Sequence, residues 1–192
     1  MPTFNPYLGE RMAKTTARLY DTFEIASQAV RQLEDAGIPP DDISVIANKT
    51  DGKVPTAKHG NEAVPGAEIG AGAGALAGGS VGVLAGLGML AIPGVGPVVA
   101  AGWLVALAVG AAGGAAAGGL LGGLIGSGIS KEHAEVYAEG VRRGGTLVSV
   151  RTAESDEPRV AAILEHNAVD PVARRAEYAS AGWKGYNPDE PI

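Results

Sequence analysis

No charged residue lies between Glu68 and Lys131, a gap of 62 residues in a chain of 192. Every ionisable charge is therefore confined to two flanks. The gap must be buried somewhere, because a stretch this long without charge has no solvated face of its own. It is interrupted once, at Ile92-Pro93-Gly94-Val95-Gly96-Pro97. Proline cannot continue a helix and glycine permits positive φ, so this hexapeptide reads as a turn. The arms on either side, Ile69–Leu90 and Val98–Ile125, would be about 33 and 42 Å long as helices. Both lengths are compatible with a bilayer core of ~30 Å. The expectation is a helical hairpin with both ends on one side.

Glycine recurs at every fourth position along the first arm, at Gly66, Gly70, Gly74, Gly78, Gly82 and Gly86. The second arm repeats the pattern at Gly102, Ala106, Gly110, Gly114, Gly118, Gly122 and Gly126. Residues four apart form one ridge of an α-helix, and small side chains on that ridge let two backbones approach closely. Such helices would need company. Glycine in a helix interior costs ~0.8–1.0 kcal/mol relative to alanine. The 21 glycines from Gly66 to Gly128 thus carry a penalty on the order of 20 kcal/mol if all were helical. Lipid, the opposite arm or sister copies must offset it. The thirteen ladder positions are the expected self-association residues. A purely flexible Gly/Ala linker is the alternative, but Leu76, Leu84, Leu87, Leu104, Leu107, Leu120 and Leu121 argue against one. Both arms are only marginally apolar for insertion, so burial at the centre of a protein assembly competes with burial in lipid.

The flanks carry −3 each, of the total −6. That balance argues against nucleic acid as a partner. The cysteine count is zero, which excludes disulfides, thiolate catalysis and sulfur-ligated metals. The opening MPTFNPYLGERMAK has no apolar core of a signal peptide. The flanks are accordingly expected in the cytoplasm, with the hairpin at the inner membrane.

Periodicity within the flanks predicts alternating strands and helices. Thr16–Tyr20 reads as a strand. Asp21, with Glu24 three residues on, reads as the capping box of a helix that buries Phe23, Ala26, Val30 and Leu33 and stops at Gly37. Ile43–Ala47 is a second strand. Ser130 caps a helix through Arg142 whose buried side is Ala134, Tyr137, Ala138 and Val141; Gly144-Gly145 stops it. Thr146–Val150 is a third strand and Arg159–Asn167 a further helix. Ala168–Val172 reads as a fourth, edge strand, because Pro171 suits only an edge. The expected fold class is α/β: a small sheet of three or four strands packed with helices, interrupted by an inserted glycine-zipper α-helical hairpin. Residues 1–14 are a tail, 15–64 plus 130–172 a discontinuous α/β domain, 65–129 a hairpin projecting as a stalk, and 173–192 an irregular tail anchored by Tyr178, Trp183 and Tyr186.

Catalytic signatures are wanting. His59, His133 and His166 have no metal-ligand neighbour at helical spacing. Lys58-His59 and Lys131-Glu132-His133 form a charged collar at the two mouths of the hairpin. Glu132, Glu135 and Glu139 read as an exposed acidic helix face. Gly72-Ala73-Gly74-Ala75-Leu76-Ala77 matches a lenient dinucleotide pattern but lacks the preceding strand and the following acidic residue. No catalytic residue, cofactor or metal is assigned.

Four segments together resemble the bacterial heat-induced general stress protein (YflT-like) family, here with a glycine-zipper insertion. They are TARLYDTFEIASQAVRQLEDAGI, DDISVIAN, KEHAEVYAEGVRRGGTLVSVR and YASAGWKGYNP, and with the ladder they cover most of residues 15–187. The resemblance implies a bacterial, stress-associated protein with no assigned reaction and no catalytic residues to carry over. The expected function is non-enzymatic self-assembly through the glycine zipper, associated with the membrane. The alternatives are a soluble homo-oligomeric ring or particle with the hairpins at its centre, and a small-ligand or ion-conducting bundle of hairpins.

Overall fold

The computed structural model describes residues 13–48, 88–92, 95–105 and 119–187. Among them five strands form one sheet in the order β1-β5-β2-β4-β3. The strands are β1 (Ala13–Tyr20), β2 (Ile43–Asn48), β3 (Gly88–Ile92), β4 (Gly96–Ala101) and β5 (Thr146–Ala153). Every neighbouring pair is antiparallel. Because β5 is antiparallel to both β1 and β2, those two run parallel with β5 inserted between them, and helix α1 (Phe23–Asp35) makes the crossover.

Helices cover both faces, which makes this an α/β fold as the alternating pattern predicts. On one face Tyr20, Ile43, Val45, Val99, Val148 and Val150 meet Ala26, Val30 and Leu33 of α1 and Val160 and Leu164 of α4 (Glu157–Glu165). On the other, Leu19, Ile46, Val98 and Leu147 meet Leu120 and Leu124 of α2 (Gly119–Gly126), and Tyr137, Ala138 and Val141 of α3 (Lys131–Arg142). The alternation of Leu147 with Val148, and of Val45 with Ile46, onto opposite faces follows from the two-residue period of a strand. A last helix, α5 (Pro171–Ser180), packs on α3.

Local signals set most boundaries. Ser130 caps α3 by accepting the His133 N–H, as the sequence predicts. The same helix ends where Gly144 adopts φ +102 and the Gly145 N–H donates to the Gly140 carbonyl, a closure that positive φ permits. The N-cap of α1 is Thr22 rather than Asp21: its hydroxyl accepts from Ile25 N, while Asp21 pairs with Arg174 at 2.8 Å.

Two expectations are corrected outright. Ala168–Val172 is not a strand, and the residues after it are not irregular. Asp170 accepts the N–H groups of Val172 and Ala173 and starts α5, with Pro171 in the first turn, where its missing N–H is no loss. The second correction concerns the hairpin. Its supposed distal end lies inside the domain: β3 and β4 are antiparallel strands, and β4 pairs with β2 from Val45↔Ala101 to Asn48↔Val98. Val95, in the expected tip loop, is fully buried. The helical reading therefore fails at 88–90 and 98–101. Pro97 fits because it lies just beyond the reach of β2 and pairs only across to Ala91 of β3. Helix occurs at 103–105 and Gly119–Gly126; the remainder of both arms lies outside the described residues. The sheet thus has five strands where three or four are expected, two of them from the insertion, whose turn is docked rather than projecting.

Candidate functional site

Of the thirteen ladder positions, Gly102, Gly122 and Gly126 fall within the described residues; Gly66, Gly70, Gly74, Gly78, Gly82, Gly86, Ala106, Gly110, Gly114 and Gly118 lie outside them. Gly102 is an intrachain contact. It has φ +95, and a Cβ there would meet the Ile43 carbonyl and approach Ser44 Cα to 2.6 Å. Gly126 is the opposite case: among the described residues a Cβ would have nothing within 4 Å. Together with exposed Ile125, and with Gly122 half-buried beside it, Gly126 leaves an uncharged side of α2 turned to solvent, while Leu120 and Leu124 face the core.

Where the insertion meets the domain, the chain builds a polar clamp. Asn48, the last residue of β2, donates its side-chain N–H groups to the Arg142 carbonyl at 3.1 Å and to the Val95 carbonyl at 3.4 Å. One amide therefore joins the end of β2, the β3–β4 turn and the C-terminus of α3. Close by, Glu139 is completely buried. Arg142 reaches it through Nε at 2.9 Å and Nη2 at 3.0 Å, and Arg143 through Nε at 2.5 Å. A buried carboxylate needs such partners, since an uncompensated charge in the interior is very costly. The acidic face expected of Glu132, Glu135 and Glu139 is thus corrected at Glu139, and Glu135 is engaged by Arg175 at 2.9 Å. Arg142 and Arg143, three and four residues past Glu139 in a stretch with Ala138 and Val141, were the signal for an inward carboxylate.

The C-terminal segment closes over this ion cluster. Arg142 stacks on the Tyr186 ring with 6.0 Å to the centroid, Arg143 on Tyr178 at 4.5 Å and Arg175 on Trp183 at 5.3 Å. Tyr178 and Trp183 meet edge to face at 5.7 Å. The expectation that these three aromatics anchor the segment holds. Trp183 Nε1 and the Tyr186 hydroxyl are buried, with no hydrogen-bond partner among the described residues. Burial pushes the Tyr186 phenol up to about 12, with the nearby Arg142 opposing; burial likewise raises Tyr20 and Tyr137.

A raised phenol pKa means that folding disfavours the phenolate. The stabilisation from Tyr186 is whole below its ordinary pKa of 10 and is lost as pH rises toward about 12. Phenolate absorbance followed beside circular dichroism should therefore show late-ionising tyrosines whose titration coincides with unfolding. Tyr186→Phe should move the alkaline transition to higher pH; an unchanged transition would contradict the burial.

Chemically, the cluster neutralises itself. Glu139 satisfies Arg142 and Arg143, Asp21 and Glu177 engage Arg174, and Glu135 engages Arg175. Among the described residues no three His, Asp or Glu side chains are grouped to hold a metal ion. His133 lies beside the Tyr137 ring and His166 contacts Asn167; His59, the other half of the expected collar, lies outside the described residues. The described site is an anchoring junction between an α/β domain and an uncharged insertion. No protein-family model, curated protein or solved structure matches this chain.

Proposed function

We propose that this chain is a non-enzymatic, self-associating protein of the bacterial stress-associated kind its sequence resembles, with its glycine-ridged segments packed against sister copies. The observation that carries the reading is that each glycine-rich segment has both ends tied to one domain. Residues 49–87 connect Asn48 of β2 to Gly88 of β3, and residues 106–118 connect buried Val105 to Gly119 of α2.

Chain length then weighs against crossing a bilayer. Residues 106–118 would reach about 20 Å as a helix and about 45 Å fully extended, whereas leaving and returning through a ~30 Å core needs ~60 Å. Residues 69–87 are long enough for one passage of about 28 Å as a helix. The return would have to carry Lys49, Asp51, Lys53, Lys58, Glu62 and Glu68, each costing ~2.5–3.5 kcal/mol at the bilayer centre on insertion scales. No helix among the described residues is long and apolar enough to cross a membrane. Burial between protein copies answers the same need to hide uncharged surface without either difficulty. This favours a cytoplasmic homo-oligomer with the insertions at its centre.

Gly126→Leu tests the reading, because a Cβ at Gly126 meets no atom within 4 Å among the described residues. Light scattering without detergent should show an assembly for the unaltered chain. For the variant, the subunit dissociation constant should rise at least about tenfold, with the circular dichroism spectrum of the folded chain unchanged. A monomeric unaltered chain, or flotation of the whole population with liposomes, would refute the proposal.

A further inference from the structure

We propose that β3 is the strand through which two copies of this chain join, pairing antiparallel edge to edge about a two-fold axis. The inference rests on the self-association reading and names its contact.

The sheet has two edges, β1 and β3. The β1 edge is managed. It carries Lys14 and Arg18, which pair with Glu157 and Glu165 of α4 at 2.6 and 2.7 Å, and the Val169 N–H donates to the Leu19 carbonyl at 2.8 Å. Charged side chains and a covering segment are the usual means of keeping an edge from recruiting another strand. Among the described residues β3 has none of these. Its sequence, Gly88-Met89-Leu90-Ala91-Ile92, holds no charge and no proline. Its inner side pairs with β4 along its whole length, and among the described residues nothing pairs with its outer side. Unpaired backbone N–H and C=O groups on an unguarded edge are a ready template for pairing with another strand.

Charge makes β3 the place where a second copy can approach. Two chains of net charge −6 repel, and each flank of the insertion is acidic. β3 lies inside the 62-residue stretch where no charge opposes the approach. An antiparallel pair about a two-fold axis is isologous, so every residue meets its symmetry counterpart within an uncharged, self-complementary strand. The contact closes on itself and extends the sheet across both copies.

The absence of cysteine makes the test direct. Single cysteines placed in turn at Met89, Leu90 and Ala91 sample the two-fold axis. Directly opposed residues of an antiparallel pair have Cα atoms ~4.5–5.5 Å apart, inside the ~4.4–6.8 Å range a disulfide needs. Mild oxidation should give a covalent dimer that peaks at one of the three positions, whereas Thr15→Cys on β1 should stay uncrosslinked. Leu90→Lys, which sets like charges across the axis, should weaken dimerisation at least about tenfold. Amide exchange at 88–92 in the unaltered chain should speed up on dilution. Assembly without crosslinking at any of the three positions, or edge protection independent of concentration, would overturn the β3 contact: sister copies then meet elsewhere and the chain's own residues cover the edge. A monomer under all conditions would instead defeat self-association itself.

Discussion

Gly102→Ala should cost the fold about 3–5 kcal/mol, a loss in melting temperature on the order of 10 °C for a chain of this size. Two effects combine. At φ +95 an alanine sits in a region L-residues rarely adopt. Its methyl group would also run into the Ile43 carbonyl and come within 2.6 Å of Ser44 Cα and 2.8 Å of Ser44 Cβ. These are mostly backbone atoms of β2, so no side-chain rotation relieves the overlap. The residue lies directly after β4, where the chain turns into the helical residues 103–105 and seats Trp103, whose Nε1 donates to the Asp42 carbonyl at 3.1 Å. Gly126→Ala is the control: its methyl group meets nothing among the described residues, and the gain in helix propensity makes it neutral or stabilising by up to ~1 kcal/mol. Denaturant midpoints of the two variants should diverge. If Gly102→Ala melts with the unaltered chain, the docking of β4 against β2 is wrong.

The second large effect is expected at Glu139. Glu139→Gln keeps the shape but removes the charge that compensates two guanidinium groups. Arg142, only 10% exposed, would be left with a largely buried positive charge. Breaking a buried pair from one side typically costs ~3–5 kcal/mol. Arg143 is 45% exposed and can turn to water, so Arg143→Ala should cost no more than ~1 kcal/mol. Replacing both members of the buried pair, Glu139→Leu with Arg142→Leu, should recover much of the single-variant loss, because no uncompensated charge then remains. Denaturant unfolding of the single and double variants measures the coupling. A Glu139→Gln penalty below ~1 kcal/mol would mean that the carboxylate is not the keystone of the junction.

Not every part of this molecule could be read from residue order. Strands β1, β2 and β5, helices α1 and α3, and the stops at Gly37 and Gly144 carry local signals: alternation or unbroken apolar runs, helical spacing, and caps such as Ser130. Such signals act within a few residues and survive in the folded chain. Helix α5 was misread because Asp170-Pro171 suits both an edge strand and a helix start. The capping of Val172 and Ala173 by Asp170 decided between them. Glu139 was misread because helical spacing alone cannot tell an outward carboxylate from one covered by a segment some 40 residues away.

The insertion separates the two levels most sharply. Its missing charges and four-residue glycine spacing are visible in the linear chain, and they set the expectation of a segment hidden from water and open to close backbone packing. They did not determine that its centre is a β-hairpin. Val95, Val98 and Val99 suit a strand as readily as an apolar helix. The choice fell to β2, whose six buried residues leave a row of backbone groups that β4 satisfies. Burial is a property residues carry with them, whereas the partner for a strand's hydrogen bonds exists only once the rest of the sheet is in place.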